Sequence, residues 1–127
     1  MSKKIIHTTA APGAIGPYSQ AIQTGNLLFV SGQIPINPAT NELVMDNIQD
    51  ETKQVMENLK AVLSAANVGF ENIVKTTIFL SDMSLFAAVN EIYGSYFTGD
   101  YPARATIQAD RLPKDANVEI SVEAKVF

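Results

Sequence analysis

Few side chains in this 127-residue sequence have the chemistry of a site, and an arginine is the most distinctive of them. The chain has no cysteine and its one histidine is His7, which excludes a thiolate nucleophile and nearly excludes a histidine triad or multi-histidine metal site. Arg104 follows a loop at residues 101–103 and opens a predicted strand. Its guanidinium stays charged and offers a planar fork of donors suited to a carboxylate. Arg104 is therefore a candidate anchor for a small carboxylate metabolite; the alternative is a surface arginine or one paired with Glu119.

Other familiar kinds of site lack the residues that they need. The glycines at 13 and 16 are too loosely spaced for a phosphate-binding loop and precede no helix, and no loop has the acidic spacing of a calcium site. The turn at Ser31 and Gly32 could offer backbone donors at a strand end, although most such turns only reverse the chain. Tyr18 is more often a packing residue, and His7 is expected to be an ordinary residue of an edge strand.

The elements that must position these groups are several strands and two helices. Apolar periodicity predicts a helix over residues 47–66 that ends at Asn67 in the left-handed conformation, and a second helix capped by Asp82 or Ser84. Gly25-Asn26 predicts a hairpin turn. Strands are predicted at residues 4–8, 21–24, 27–31, 73–80, 103–109 and 118–127. This pattern favours an α+β fold with the helices on one face of a mostly antiparallel sheet.

The last two strands alternate between apolar and polar residues. In the final strand, the apolar set should meet the helices and leave the opposite set outside: Glu119, Ser121, Glu123 and Lys125. In the strand before it, Arg104 and Thr106 alternate with alanines and Ile107. If these two strands pair, Arg104, Thr106, Glu119 and Ser121 share the sheet face away from the helices. That face is the predicted site.

The bulk properties limit the class of protein. A chain of this length, 46% hydrophobic and 17% charged, is expected to form one compact domain over residues 1–127. The net charge of −4 and the lack of a basic stripe argue against nucleic acid as a partner. No apolar run approaches the roughly 20 residues of a membrane span, and the first residues do not resemble a signal peptide. The expected compartment is the cytosol.

Several motifs, in this order and at this spacing, carry a resemblance to a known family. They are APGAIGPYSQ at 11–20, SGQIP at 31–35, PAR at 102–104, RLPKD at 111–115 and VEI at 118–120. The chain resembles the RidA/YjgF family of enamine/imine deaminases over essentially its whole length. The resemblance implies a chorismate-mutase-like fold, a six-stranded sheet with two helices on one face, assembled as a homotrimer with sites between subunits.

The resemblance also implies an activity. Family members hydrolyse 2-imino acids, such as 2-iminobutanoate and 2-iminopropanoate, to 2-keto acids and ammonia. These imines arise from enamines released by pyridoxal-phosphate-dependent dehydratases, and they damage other such enzymes if they persist. An imine protonated near neutral pH is already a good electrophile, so the protein needs positioning and one carboxylate more than a strong nucleophile. No cofactor and no metal are expected.

Individual roles follow from the resemblance residue by residue. Arg104 matches the arginine that holds the substrate carboxylate, and Glu119 matches the active-site glutamate that orients water and transfers protons, with a backbone carbonyl near Thr106. The matching residues of the pocket are Tyr18, Ser31, Gly32 and Asn90. Two positions depart from the family: Thr106 replaces a cysteine common in relatives, and Asp110 replaces a small or basic residue.

Three other functions stay open at this stage. A trimer of the same fold could bind a keto acid without turning it over, although subgroups without catalysis lack the arginine. A ribonuclease or translation inhibitor, a role attached to some relatives, is disfavoured by the acidic balance and the missing basic groove. A chaperone-like role through exposed apolar surface is the third alternative.

Overall fold

The computed structural model describes residues 2–127, and its centre is a six-stranded sheet. The strands are β1 (Lys4–Ile6), β2 (Ala21–Thr24), β3 (Leu27–Gln33), β6 (Ile73–Leu80), β7 (Ala103–Gln108) and β8 (Val118–Lys125), with β4 (Ile36–Asn37) and β5 (Glu42–Leu43) forming a separate small hairpin. The sheet order is β1-β2-β3-β8-β6-β7, and every pair is antiparallel except β6 with β7. The predicted mostly antiparallel α+β fold is confirmed, and β1 is an edge strand as expected.

The hairpin between β2 and β3 turns where the sequence predicts. Thr24 pairs with Leu27, which leaves Gly25 and Asn26 as the two loop residues. Gly25 has a φ of 59°, whereas Asn26 does not have a positive φ. A positive φ at the first central residue only is the signature of a type II′ turn, whose twist matches that of the strands. Glycine occupies this position because other residues are strained there.

Helix α1 (Ile48–Ala65) forms from a capped, strongly amphipathic segment. The Asn47 side chain accepts a hydrogen bond of 2.8 Å from the backbone N–H of Asp50 at the first turn. The apolar face is buried against the sheet: Val55, Met56, Leu59, Val62 and Leu63. Burying each side chain of this size stabilises the fold by about 1.5–3 kcal/mol. Asn67 follows with a φ of 61°, the left-handed conformation predicted for it.

Helix α2 (Phe86–Gly94) connects β6 to β7 and packs on the same face of the sheet as α1. A single 3₁₀ turn, Met83–Leu85, precedes it, and the carboxylate of Asp82 caps that turn by accepting from the N–H of Ser84 at 2.8 Å. Tyr93 then places its hydroxyl against Thr76 of β6 and donates a hydrogen bond of 2.9 Å to Oγ1 of Thr76 in the core. Because α2 is a crossover, β7 returns parallel to β6 at the edge of the sheet.

The pairing predicted for the last two strands is wrong. β6 lies between β7 and β8, so Arg104 aligns with Thr76, and Glu119 aligns with Phe79 on the other side of β6. Thr76 is fully buried beneath the helices, and residues that align across neighbouring strands point to the same face. Arg104 and Thr106 therefore face the helices, whereas Glu119 and Ser121 face away. Alternation within each strand is visible in the sequence, but the strand inserted between them is not.

The sheet face away from the helices leaves apolar side chains exposed. We call this surface the outer sheet face; its large exposed apolar members are Ile5, Leu27, Phe29 and Ile107. Exposed apolar residues gathered on one face of a sheet are typical of a surface that packs against another protein. Neither helix in residues 2–127 combines the length and the apolar composition needed to cross a bilayer.

Candidate functional site

Arg104 lies at the edge of the sheet and is held by α2. Its Nη1 donates a hydrogen bond of 2.6 Å to Oδ1 of Asn90. The guanidinium carbon lies 5.3 Å from the centre of the Tyr93 ring and 5.5 Å from that of Phe86, distances at which a cation is attracted to an aromatic face. These three contacts fix the direction of the guanidinium and leave its other N–H groups without a protein partner. Arg104 and Asn90 are thus brought together as predicted for one pocket.

No acidic side chain neutralises Arg104 within residues 2–127. The ion pair found there joins Arg111 to Asp115, and no carboxylate oxygen lies within 4.0 Å of the Arg104 guanidinium. The alternative in which Arg104 pairs with Glu119 is therefore wrong for this chain. A fixed guanidinium with free donors is suited to bind a carboxylate in two-point contact.

Thr106 adds an unsatisfied polar atom beside Arg104. Its Oγ1 is buried and has no hydrogen-bond partner, and it shares a small recess with Arg104, Asn90 and Phe86. A buried hydroxyl without a partner costs about 1–3 kcal/mol, which a bound ligand atom would relieve. A wider cleft of about 680 Å³ opens on the other side of Arg104 and is lined also by Tyr93 and Tyr101. We call Asn90, Arg104 and Thr106 the arginine half-site.

Glu119 lies on the other face of the sheet, at a cleft of about 420 Å³. Tyr18, Ser31 and Gly32, the other residues predicted for the pocket, line this cleft with it. The register of β3 against β8 shifts between Val30 and Gln33, so the Gly32 backbone approaches the Glu119 side chain closely. A Cβ at position 32 would stand only 2.9 Å from the carboxyl carbon of Glu119. We call this group the glutamate half-site.

The surroundings of Glu119 change its acidity. Burial raises the pKa of the Glu119 carboxyl above its ordinary value, and no cation or hydrogen-bond donor within residues 2–127 opposes that shift. A carboxyl whose pKa moves toward neutrality exchanges protons more readily near pH 7. Glu119 is therefore suited to both accept and return a proton, because its burial raises the pKa of its carboxyl.

Gln20, which no sequence pattern indicated as important, holds the loop that carries Tyr18 in place. The buried Gln20 side chain accepts from the N–H of Thr8 at 2.7 Å and donates to the carbonyls of Thr8 and Pro12 at 3.1 and 2.8 Å. Ser31 donates its hydroxyl proton to the Ser19 carbonyl at 2.6 Å. The hydroxyl of Ser31 therefore holds the loop in place. A buried glutamine at the start of a strand gives no signal in apolar periodicity.

A second buried network positions the start of β8. Glu51 of α1 is almost fully buried, and its carboxylate accepts from the side-chain amide of Asn117 at 2.9 Å and from its backbone N–H at 3.3 Å. Ser81 donates its hydroxyl to Oδ1 of Asn117 at 2.8 Å. Asn117 immediately precedes β8, so this network fixes the start of the strand that carries Glu119. Apolar periodicity gives no sign that a glutamate of this helix is buried.

Two further positions considered in the sequence, His7 and Asp110, lie in neither half-site. His7 is exposed at the end of β1, and within residues 2–127 no three potential metal ligands cluster. Asp110 is also exposed, and nothing in the structure explains its departure from the resemblance.

One chain cannot bring its two half-sites to the same small molecule. Arg104 and Glu119 lie two strands apart, which is about 10 Å across the sheet, and their aligned positions on β6 are three residues apart, about 10 Å along it. Their Cα atoms are thus separated by about 14 Å, with the side chains on opposite faces. An imino acid is only a few ångströms long. Either a second copy completes each site, or the two residues serve different functions.

The comparisons with known proteins show which family the chain belongs to. Residues 8–126 match the family described as Endoribonuclease L-PSP. The 2-iminobutanoate/2-iminopropanoate deaminase of Mus musculus is 48% identical over 122 residues, which are 96% of this chain and 90% of that protein. The chain belongs to the RidA/YjgF family. Several archaeal members that are about equally similar bear only the name RutC family protein, so membership by itself does not fix the reaction.

Solved structures of RidA/YjgF proteins share the fold throughout. A Yersinia pestis protein of the Rid family, YyfA, has a TM-score of 0.96 at 50% identity and covers 98% of this chain and 100% of its own. The Escherichia coli protein TdcF, solved with bound serine, has a TM-score of 0.94 at 42% identity, with 98% of this chain and 99% of its own covered. TdcF thus shows that a member of the RidA/YjgF family binds a small amino acid.

Gly32 provides a test of the glutamate half-site that leaves every charge in place. Gly32→Ala is expected to displace the Glu119 carboxylate and to slow any reaction that depends on it at least tenfold. The cost in stability should be small, because the new Cβ meets only the flexible end of the Glu119 side chain. Gly99→Ala is the matched control, because a Cβ at position 99 has open space around it. Steady-state kinetics and thermal unfolding of both variants measure the effect. Equal activities of the two variants would contradict the assigned contact.

Proposed function

We propose that this protein is a hydrolytic deaminase that converts 2-imino acids to 2-keto acids and ammonia. The observation that carries the proposal is Arg104, a guanidinium fixed by Asn90 and two aromatic rings and left without an acidic partner. Glu119, at a cleft and with a raised pKa, supplies the proton-transfer group. Membership of the RidA/YjgF family and the names of the mouse and human relatives support the same reaction.

The reaction needs one water molecule and no change of oxidation state. Arg104 holds the substrate carboxylate by two-point hydrogen bonding, and the orphaned hydroxyl of Thr106 is free to bond the substrate or the water. Glu119 accepts a proton from water as the oxygen of that water bonds to the imine carbon. Glu119 then returns that proton to nitrogen. As the C–N bond breaks, the oxygen that came from water forms the C=O bond and its remaining proton passes to Glu119, and the 2-keto acid and ammonia leave. Such proton transfer typically contributes 10²–10⁴-fold in rate.

We propose further that each site forms between two copies in a homotrimer. Because the two half-sites are about 14 Å apart on opposite faces in one chain, one substrate meets both residues only if a second chain supplies one of them. The outer sheet face, with Ile5, Leu27, Phe29 and Ile107 exposed, is the apolar surface available for that contact. A closed ring of three identical contacts would give three equivalent sites.

A trapping assay tests the reaction. Threonine dehydratase and threonine generate 2-iminobutanoate in situ, semicarbazide competes for it, and the protein is expected to divert the imine to 2-ketobutanoate. The readout is the ratio of keto acid to semicarbazone at increasing protein concentration. A ratio that the protein does not change would remove the deaminase proposal.

A mixing experiment tests whether neighbouring chains share the site. Arg104→Ala and Glu119→Gln should each be nearly inactive, but trimers assembled from an equal mixture should recover about a quarter of wild-type activity. One site in four then draws an intact Arg104 from one neighbour and an intact Glu119 from the other. The control mixture pairs Arg104→Ala with the double variant, which restores no site. No recovery in the first mixture, with mixed trimers verified by native mass spectrometry, would refute the shared site.

A second candidate function is binding without turnover, and the TdcF structure with bound serine favours it. In this case Arg104 would still hold a carboxylate, but Glu119 would serve no proton transfer. Calorimetry with a 2-keto acid and the trapping assay separate the two candidates. Binding that depends on Arg104, without diversion of imine from semicarbazide, would establish the binding function.

A further inference from the structure

The cleft at Glu119 is much larger than the smallest imino acids require. Its volume is about 420 Å³, whereas a methyl or ethyl side chain occupies on the order of 30–60 Å³, one to two times the share of a water molecule in the liquid. Pockets of this size hold ligands with several more heavy atoms. The space beside Glu119 is therefore large enough for a substrate with a longer side chain.

The walls of this cleft are mainly apolar. Ile34 and Ile36 follow the Gly32 bulge and form one part, and Pro12 and Pro113 form others. Ile15 completes the lining from the loop of Tyr18, with 73% of its surface exposed in the isolated chain. An isoleucine this exposed has little to bury against in its own chain, and a ligand side chain in the cleft would cover it.

A cationic residue offers a different interpretation of the same cleft. Lys114 lies at its rim, in a turn where Lys114 and Asp115 both have positive φ values, 56° and 58°. An ammonium group there could select a substrate with a second carboxylate. Lys114 is exposed, however, and keeps its hydration, while most of the lining residues are apolar. The observations therefore favour an apolar occupant.

We propose that this cleft is a side-chain subsite for 2-imino acids with apolar side chains of three to four carbons, and that Ile15 determines this specificity. The inference rests on the proposed deaminase function and names its substrate class. Imines of this kind are products of enzymes, such as amino-acid oxidases, that oxidise the amino group of aliphatic amino acids. Their side chains lie against Ile15, Ile34 and Ile36, while their carboxylates are held by Arg104.

The first test compares substrates on the wild-type protein. An amino-acid oxidase with catalase generates imines from alanine, norvaline, leucine and glutamate, with semicarbazide as the competitor. We expect kcat/KM to rise up to about fourfold for each methylene that becomes buried, from the alanine-derived to the leucine-derived imine. A flat or falling series, or a preference for the glutamate-derived imine, would overturn the proposal; the latter would assign the subsite to Lys114.

Binding of the product 2-keto acids separates this proposal from the reaction itself. Calorimetry with pyruvate and 4-methyl-2-oxopentanoate measures the subsite without turnover, and the larger keto acid is expected to bind at least tenfold more tightly. If no imine is hydrolysed but this preference holds, the deaminase proposal fails and the subsite stands. If imines are hydrolysed and both keto acids bind equally, the subsite fails alone.

The second test changes Ile15 itself. Ile15→Ala should lower the ratio of kcat/KM for the leucine-derived over the alanine-derived imine by about five- to tenfold, because up to three carbon atoms of contact are lost. Val74→Ala is the matched control, since Val74 is exposed but lines neither cleft. An unchanged ratio in Ile15→Ala, together with altered sedimentation, would show that Ile15 is a contact between copies and would overturn its role in specificity.

Discussion

Arg104→Ala is expected to lower kcat/KM for 2-imino acids by about 10²–10³-fold. The substituted chain loses charge-assisted bonds to the substrate carboxylate, and breaking such a pair in a desolvated site typically costs 2–5 kcal/mol. Arg104 makes no ion pair within residues 2–127, so its removal leaves no unpaired protein carboxylate behind. The loss should therefore fall mainly on substrate binding. The cost in stability should be limited to the exposed contacts with Asn90, Phe86 and Tyr93, about 0.5–1 kcal/mol for each cation–π contact.

Two further substitutions decide what Arg104 contributes. Arg104→Lys keeps the charge but loses the planar fork and the contact with Asn90, so we expect it to recover only a small part of the loss. Arg111→Ala removes the other arginine, whose ion pair with Asp115 is exposed and worth little, and should leave kcat/KM within about twofold. If Arg104→Ala diverts imine from semicarbazide as well as wild type, the carboxylate-clamp assignment is wrong.

Local features of the fold were predictable because short-range physics determines them. The cap at Asp82, the hairpin at Gly25 and the left-handed Asn67 each follow from one side chain and its own backbone. The alternation of β8 was also predictable, since a strand between core and surface must have a period of two. These features depend on neighbours within a few residues, which the sequence displays directly.

The order of strands was not predictable in the same way. β6 lies between β7 and β8 because the α2 crossover returns β7 to the sheet edge, and no local pattern in residues 103–127 records that choice. The error reversed the face of Arg104 and placed it beside Glu119. The contact of Gly32 with Glu119 was also not predictable, because it depends on a bulge in β3 that shifts the register against β8. Alternation therefore predicted the face of Glu119 correctly and reversed the face of Arg104.

The order of the strands gives a physical reason for a site shared between two chains, which the resemblance implies. A site confined to one chain would need Arg104 and Glu119 on the same face, which the sheet order forbids. Each half-site is nevertheless built in advance: Asn90 and Tyr93 hold the guanidinium, and Gly32 makes room for the carboxylate. If copies of the chain pack through the apolar outer sheet face, as proposed, two preformed half-sites on neighbouring copies make one complete site.

Glu119→Gln is expected to lower kcat by about 10²–10⁴-fold and, at neutral pH, to make the folded protein more stable. Glutamine has nearly the same shape, so the contact with Gly32 survives, but it cannot accept and return a proton. Burial raises the pKa of Glu119 in the folded state, so ionising this carboxyl opposes folding. Wild type therefore loses stability as pH rises through the folded-state pKa, and the variant does not.

The pH dependence distinguishes this role from a purely structural one. The excess in Tm of Glu119→Gln over wild type should be largest near neutral pH and should shrink as pH falls below the ordinary pKa of glutamate, where wild type is protonated in both states. Protein concentration must be equal in both series, because assembly itself shifts Tm.

In wild type the acid limb of the pH profile of kcat should lie above the ordinary glutamate pKa, and the residual activity of Glu119→Gln should lack that limb. Glu42→Gln, an exposed carboxylate on the small β4–β5 hairpin, should change neither profile. A Glu119→Gln variant less stable than wild type at neutral pH would contradict the desolvation of Glu119, and a retained acid limb would assign the proton transfer to another group.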